Sequence, residues 1–217
     1  MESIFNASLA TFLRSPQRHH AIRANFKRGM DLAGATLALV LLSPLLFLIT
    51  ASVWVTAGAP VLFSQWRVGR AGIPFRMLKF RTMRGNWSEA QWRVGLDGNI
   101  DKRPDDRRIT RFGRFLRRSS LDELPQLINV LRGEMSLVGP RPLPRCMLVA
   151  DPESLELRCS LRPGMTGLWQ ICNRSANRSI LDMLSYDLEY ASKVSIRRDA
   201  LILIHTLPAV IRGTGAI

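Results

Sequence analysis

Polar and apolar positions are distributed unevenly along the chain. No charged residue occurs between Leu32 and Trp66, and the first part of that stretch, LAGATLALVLLSPLLFLITASVWVTA, is apolar enough for a membrane helix. It comes late, is long and lacks a small-residue cleavage site, so it is read as retained and not as a cleavable signal. Pro44, preceded by Ser43, lies near its middle, where proline removes a backbone hydrogen bond and clashes with the preceding turn; a kink is expected. At 1.5 Å per residue each half measures roughly 18–20 Å and the whole roughly 39 Å, against a hydrocarbon thickness of ~30 Å. Length therefore allows both a crossing and a hairpin. Flanking charge discriminates: Arg23, Lys27 and Arg28 precede the segment, and Arg67, Arg70, Arg76, Lys79 and Arg81 follow it. A crossing would leave one basic flank outside, so the pattern predicts a re-entrant hairpin with both ends cytoplasmic. Trp54 and Trp66 suit interfacial positions.

Beyond the apolar segment the pattern shortens. Pro60 to Met83 has apolar runs around the Gly-rich turn VGRAGIPF and predicts a short β-hairpin. Arg84 to Pro104 is polar without sustained period and reads as a variable loop or mobile cover. Ile109, Phe112, Phe115 and Leu116 keep helical spacing inside RRITRFGRFLRRSS, which predicts an amphipathic basic helix. SLDELPQLINVLRGEMSLVGPRP follows: a helix start, a short apolar helix ended by Gly133, and an extended turn bracketed by prolines. Leu181–Ala191 and Asp199–Arg212 predict two more amphipathic helices, for docking on the core or the membrane surface. The fold class expected is α+β, mostly helical. Its parts are a leader (1–25), a Pro-kinked re-entrant membrane helix (26–59) and a cytoplasmic, membrane-associated catalytic domain (60–217) with amphipathic interfacial helices.

Charge narrows the function. With 31 Lys and Arg against 17 Asp and Glu the net charge is +14, which predicts attraction to anionic lipid, phosphorylated substrates or nucleic acid without choosing among them. The three cysteines, Cys146, Cys159 and Cys172, make neither a CxxC pair nor a ligand cluster, and their odd number argues against a closed disulfide framework. Walker A, Rossmann and HExxH patterns do not occur, so ATP hydrolysis, dinucleotide chemistry and zinc proteolysis lose their usual sequence support. His19 and His20 lie in the leader and His205 in an apolar helix, which favours surface and core roles over catalysis.

Asp122 and Glu123 are the acidic pair amid this positive charge. Ser120-x-x-Glu123 matches a capping box, whereas Pro125 fits better if Asp122 is itself the N-cap. Either places the carboxylates at a helix start, whose field keeps Asp122 ionised and admits a phosphate. Adjacent carboxylates diverge by about 100° on a helix, so one can attack phosphorus while the other holds a hard cation such as Mg2+. Arg117 and Arg118 before the pair and Arg141 after it are suited to bidentate phosphate contacts.

These motifs together resemble the bacterial sugar transferase family, the monotopic phosphoglycosyl transferases, in their minimal form. The resemblance runs from about Phe26 to the C-terminus through FKRGMDL, SP, PVLFSQWRVGRAG, MLKFRTM, RRITRFGRFLRRSSLDELPQLINVLRGEMSLVGPRP and LRPGMTGLWQ. It implies transfer of a sugar 1-phosphate from a UDP-sugar to undecaprenyl phosphate, with UMP released and a covalent aspartyl intermediate. In that pattern Asp122 matches the nucleophile and Glu123 the Mg2+ ligand. Lys79, Arg81, Arg117, Arg141, Arg174 and Asp187 match positions near the substrates, and Ser43-Pro44 the helix break. Implied partners are the two substrates and membrane lipids at the cytoplasmic face of a bacterial inner membrane, without nucleic acid; homo-oligomerisation stays open. Two departures, LWQICNRSAN after LRPGMTG and DDRRIT in place of DPRIT, leave the reaction class intact and the sugar unspecified. Two rivals remain: a non-enzymatic anchored basic module, which does not explain the acidic pair, and an enzyme moving the sugar alone and releasing UDP.

Overall fold

The computed structural model describes residues 17–85, 106–145, 152–172 and 180–211. Helix α1 (Gln17–Leu41) runs into α2 (Ser43–Ala57) through a bend of 65°. Its cause is local. Pro44 stands in the first turn of α2 and offers no N–H to the Val40 carbonyl four residues earlier. Ser43 supplies the donor, its hydroxyl reaching Val40 O at 2.8 Å, and the ladder resumes with Leu46 N to Leu42 O at 2.8 Å. The pair thus breaks the helix without orphaning a carbonyl, which matters most where no water is at hand. Among the described residues no single helix is long and apolar enough to cross a bilayer; α1 from Ala24 and α2 pass that test only together. The boundary expected after residue 25 falls within α1.

The expected hairpin forms from β1 (Leu62–Val68) and β2 (Pro74–Phe80), antiparallel with Leu62 opposite Phe80 and Val68 opposite Pro74. Next come α3 (Arg111–Arg118), a 3-10 turn (Leu121–Glu123), α4 (Gln126–Arg132) and β3 (Ser136–Val138). The chain continues with α5 (Pro152–Cys159), β4 (Gly164–Thr166), α6 (Leu168–Cys172), α7 (Ile180–Ser192) and α8 (Ile196–Ile211). The α+β class holds, and the two late helices lie within a few residues of their expected limits. Most of the loop expected at 84–104 lies outside the described residues. Cys159 and Cys172 are free thiols.

A second sheet was not foreseen. Strands β3 and β4 pair in parallel, Ser136 beside Gly164 and Val138 beside Thr166. Three-residue strands show no period in sequence, and this pair depends on close backbone approach. A Cβ on Gly164 would lie 2.1 Å from Gly139 N, and one on Gly167 2.3 Å from Gly139 O.

Three apolar clusters hold these elements. Ala35 of α1 packs with Phe75 and Met77 of β2 and with Leu127 and Val130 of α4. Ile49 and Val53 of α2 pack with Phe80 and Leu116, and Val138 with Tyr190 of α7 and Ile202 of α8. Charged residues of α1 add a polar lock. Lys27 Nζ meets Asp199 Oδ2 of α8 at 2.5 Å, and Arg28 donates to the Val130 and Leu131 carbonyls ending α4 at 2.7 and 3.1 Å. The buried Asp31 accepts from Leu137 N and Ser136 Oγ at 3.0 and 3.1 Å. Lys27 and Arg28, read from sequence as a flanking charge, therefore also join α1 to the domain.

Asn129 of α4, fully buried, ties the helix to the hairpin. Its Oδ1 accepts from Leu78 N at 2.9 Å, and its Nδ2 donates to Arg76 O at 2.8 Å and Glu134 Oε2 at 2.6 Å. Asn129→Leu keeps the approximate size but leaves two backbone groups of β2 without this partner, a loss of about 2–4 kcal/mol. The expected result is a lower apparent melting temperature of the detergent-solubilised protein; an unchanged one would show these bonds to be dispensable.

Candidate active site

The site is assembled where the basic helix meets the hairpin. Thr110 caps α3 by accepting the Gly113 N–H at 2.8 Å. Gly113 lies flat on the backbone just after β2: a Cβ there would stand 2.2 Å from Thr82 O. That approach lets Arg117 Nε reach Thr82 Oγ1 at 2.9 Å. Leu116 faces the core while Phe115 is exposed and stacks on Phe112 at 6.0 Å, so the helix is amphipathic as expected.

After α3 the backbone turns sharply. Ser120 takes a left-handed conformation, φ 55°, and its side chain caps nothing. Asp122 and Glu123 then lie in the 3-10 turn, and α4 begins only after Pro125, which stands at its N-cap. No α-helix starts at either expected position; Ser120 is instead the N-cap residue of the 3-10 turn, without a side-chain cap. The capping box fails because Ser120 is left-handed and Glu123 points to Lys79; Asp122 is no α-helical N-cap because Pro125, without an N–H, delays the helix to Gln126. Leu121 and Leu124 on either side of the acidic pair pack against the cluster of Ile49, Val53, Phe80 and Leu116, which fixes the turn between two apolar anchors.

Asp122 is 8% exposed, so its carboxylate is largely removed from water. Glu123 Oε1, nearer the surface, accepts from Lys79 Nζ of β2 at 2.7 Å. Burial pushes the Asp122 carboxyl up to about 6 from 3.8; Lys79 pulls it down, Glu123 pushes it further up, and Arg117 pulls it down. This is the reverse of what a helix start alone would do, yet the ionised form still dominates at neutral pH. The Arg117 guanidinium is itself drawn down by burial, with Asp122 opposing. Four sequence-predicted residues, Lys79, Arg117, Asp122 and Glu123, thus share one electrostatic neighbourhood.

The remaining candidates fall elsewhere. Arg81 donates to the carbonyls of Met83, Ala59 and Gly85 at 2.9, 2.9 and 2.8 Å, stitching the end of α2 to the strand exit. Asp187, on α7 and 2% exposed, meets Arg158 Nε of α5 through Oδ2 at 2.9 Å and accepts the Arg141 N–H through Oδ1 at 3.3 Å. Burial raises the Asp187 carboxyl above the ordinary range, against the pull of Arg158. Arg158 also donates to the Arg141 carbonyl. Sequence reasoning missed Arg158, which sits in the short run ESLELRC with nothing to separate it from other surface arginines. Arg174 lies outside the described residues.

Comparison with known proteins identifies the family of the chain. The bacterial sugar transferase family matches residues 22–213. The exopolysaccharide production protein ExoY of Sinorhizobium fredii is 37% identical over 227 residues, covering 97% of either chain. The UDP-glucose:undecaprenyl-phosphate glucose-1-phosphate transferase of Caulobacter vibrioides is 38% identical over 88% of this chain and 71% of its own. The undecaprenyl-phosphate galactose phosphotransferase of Salmonella typhimurium is 36% identical over 88% of this chain and 41% of its own. A match through the bent helix pair, the hairpin and the acidic turn alike means that this chain is an enzyme belonging to the bacterial sugar transferase family.

Proposed function

We propose that the protein transfers a sugar 1-phosphate from a UDP-sugar to a polyprenyl phosphate such as undecaprenyl phosphate, releasing UMP, at the cytoplasmic face of a bacterial inner membrane. The observation that carries the reading is the acidic turn: a buried carboxylate, Asp122, beside Glu123, Lys79 and Arg117. The names of the Caulobacter and Salmonella relatives support the substrate classes. Transfer of this kind would begin the assembly of a surface polysaccharide.

In the first step an Asp122 carboxylate oxygen attacks the β-phosphorus of the UDP-sugar. The bond from that phosphorus to the bridging oxygen breaks, and UMP leaves with the electron pair. Asp122 then carries the phosphosugar as an acyl phosphate. In the second step a phosphate oxygen of the polyprenyl carrier attacks the same phosphorus and restores the free carboxylate. Burial suits this nucleophile, since an incompletely solvated carboxylate is the more reactive one and water is kept from the acyl phosphate. Lys79 and Arg117 hold positive charge beside the phosphoryl group through both steps.

The donor set fits Mg2+. Two adjacent carboxylates supply hard oxygen ligands, and Glu123 is reachable from the surface, while no group of three His, Cys, Asp or Glu side chains exists among the described residues, so phosphate and water would complete the shell. Glu123 would hold the ion, with Asp122 beside it. Bound there, Mg2+ would neutralise charge on the diphosphate.

The anchor is read as re-entrant. Support comes from the 65° bend, from the Ser43 hydroxyl that satisfies Val40, and from outward apolar side chains such as Phe47 and Val55, 73% and 77% exposed. Apolar faces of this kind are stable against lipid and not against water.

Purified protein in nanodiscs, given Mg2+, undecaprenyl phosphate and a panel of UDP-sugars, is expected to release UMP with its cognate donor. Asp122→Asn should lower that rate by about a thousandfold or more with membrane association retained; release of UDP instead would overturn the phosphosugar mechanism. The wild-type rate should fall on the acid side of neutrality, as Asp122 takes up its proton.

Stability should move the other way. A carboxyl whose folded pKa is raised gives most stability below its unfolded value of 3.8 and loses it as pH rises through about 6, a difference of about 3 kcal/mol. In EDTA, Asp122→Asn should therefore melt higher than wild type at pH 8, and the gap should close below pH of about 4. A variant that melts lower at pH 8 would show that Asp122 is not held against a desolvation cost.

A further inference from the structure

Three arginines from distant parts of the chain gather near the C-terminal end of α4. Arg28 of α1 donates to the Val130 and Leu131 carbonyls at 2.7 and 3.1 Å, and Arg162, in the link between α5 and β4, donates through Nε to the Gly133 carbonyl at 2.9 Å. Arg28 approaches that last residue too: a Cβ on Gly133 would lie 3.5 Å from one of its terminal nitrogens. Arg70 stands exposed in the hairpin turn (Arg70–Gly72), which packs against α5. Its charge is felt at Arg162, whose guanidinium is drawn down first by burial and then by Arg70 and Arg28, with Asp31 opposing.

Capping of α4 explains part of this gathering, since the end of a helix has unpaired carbonyls and carries about half a negative charge. It does not explain the sum. Counting Arg132 in the last turn of α4, four cations stand against the acids Asp31 and Glu134 and the helix end, which leaves positive charge in excess. Both acids already accept hydrogen bonds, Asp31 from Leu137 N and Ser136 Oγ and Glu134 from Asn129 Nδ2. A bound anion relieves such an excess, and guanidinium forks suit phosphate oxygens. Location identifies the anion. Arg28 lies four residues, roughly 6 Å of helix, before Leu32, where the uncharged stretch begins, and Met30 and Leu32 beside it are exposed. The acidic turn precedes the other end of α4, roughly 10 Å away along the helix, so this is not the place of the reacting phosphate.

We propose that Arg28, Arg70 and Arg162 form a binding site for the headgroup phosphate of an anionic phospholipid at the rim of the bent helix pair. The inference rests on the membrane reading of that pair. One lipid then joins α1, the hairpin turn and the link into β4, and its binding stabilises the junction between the apolar helices and the domain.

The test titrates full-length protein, in detergent micelles doped with phosphatidylcholine, with phosphatidylglycerol and follows the melting temperature. Wild type is expected to show a rise that saturates. Arg70→Gln, in the exposed turn, and Arg162→Gln should each raise the phosphatidylglycerol fraction needed for half of that rise by about fivefold, which corresponds to about 1 kcal/mol per arginine. Arg197→Gln, exposed on α8, should change it less than about twofold. Equal shifts in all three variants would overturn the site, showing that net charge acts diffusely; so would no shift in any of them. If Arg162→Gln does not fold for want of its bond to Gly133, Arg70→Gln decides. A saturating rise given by inorganic phosphate without phosphatidylglycerol, and lost in the same two variants, would overturn the lipid assignment in favour of a soluble anion. Wild-type protein that stays dispersed without detergent would overturn the membrane reading and this site with it, whereas arginine variants that titrate like wild type would remove the site alone.

Discussion

The position of the acidic turn relative to the bent apolar helix pair is set by a short stretch of α1. Lys27, Arg28 and Asp31 lie within about one turn of helix and engage three different parts of the domain: Asp199 on α8, the carbonyls that end α4, and the start of β3. Two of these are ends of secondary structure, where unpaired backbone groups need partners, so the helix and the domain complete each other's hydrogen bonding. A helix joined in this way cannot swing freely. The acidic turn, packed through Leu121 and Leu124 against α2, is consequently held at a fixed height with respect to the bend at Ser43-Pro44.

That fixed geometry permits an energetically unfavourable arrangement at its centre. Burial and a neighbouring acid both favour the protonated form of Asp122, and two cations, Lys79 on β2 and Arg117 on α3, oppose them. Each cation has its own constraint. Lys79 is placed by the strand that buries Phe80, and Arg117 by the contact of Gly113 with the Thr82 backbone, which allows α3 to lie against the strand exit. The environment of Asp122 is thus a product of three separately anchored segments.

Much of this was legible in the sequence, and the limits follow a physical line. The break at Pro44, the hairpin, the amphipathic helices and the acidic pair announced themselves through missing donors, alternating polarity, helical spacing and charge out of context. What stayed hidden was contact between residues far apart in the chain. The β3–β4 pairing through Gly139 and Gly164 and the ties that Arg158 and Asn129 make to Asp187, Arg141 and β2 join residues 17 or more apart in the chain, and such contacts leave no periodic trace. Arg81 shows the converse: its motif stood out, while the carbonyls of Ala59, Met83 and Gly85 that it binds could not be read from spacing.

A two-stranded hairpin has an outer edge on each strand, and each open edge is a template on which another extended chain can assemble. On β2 that role is blocked by a side chain: Asn129 occupies Leu78 N and Arg76 O as a neighbouring strand would, with its amide in place of a peptide group. On β1, the Leu143 carbonyl takes Val68 N in the same manner. These contacts block part of each edge against edge-to-edge pairing with another chain, while the outer face of the hairpin, with Trp66 beneath Arg76, stays open to its surroundings.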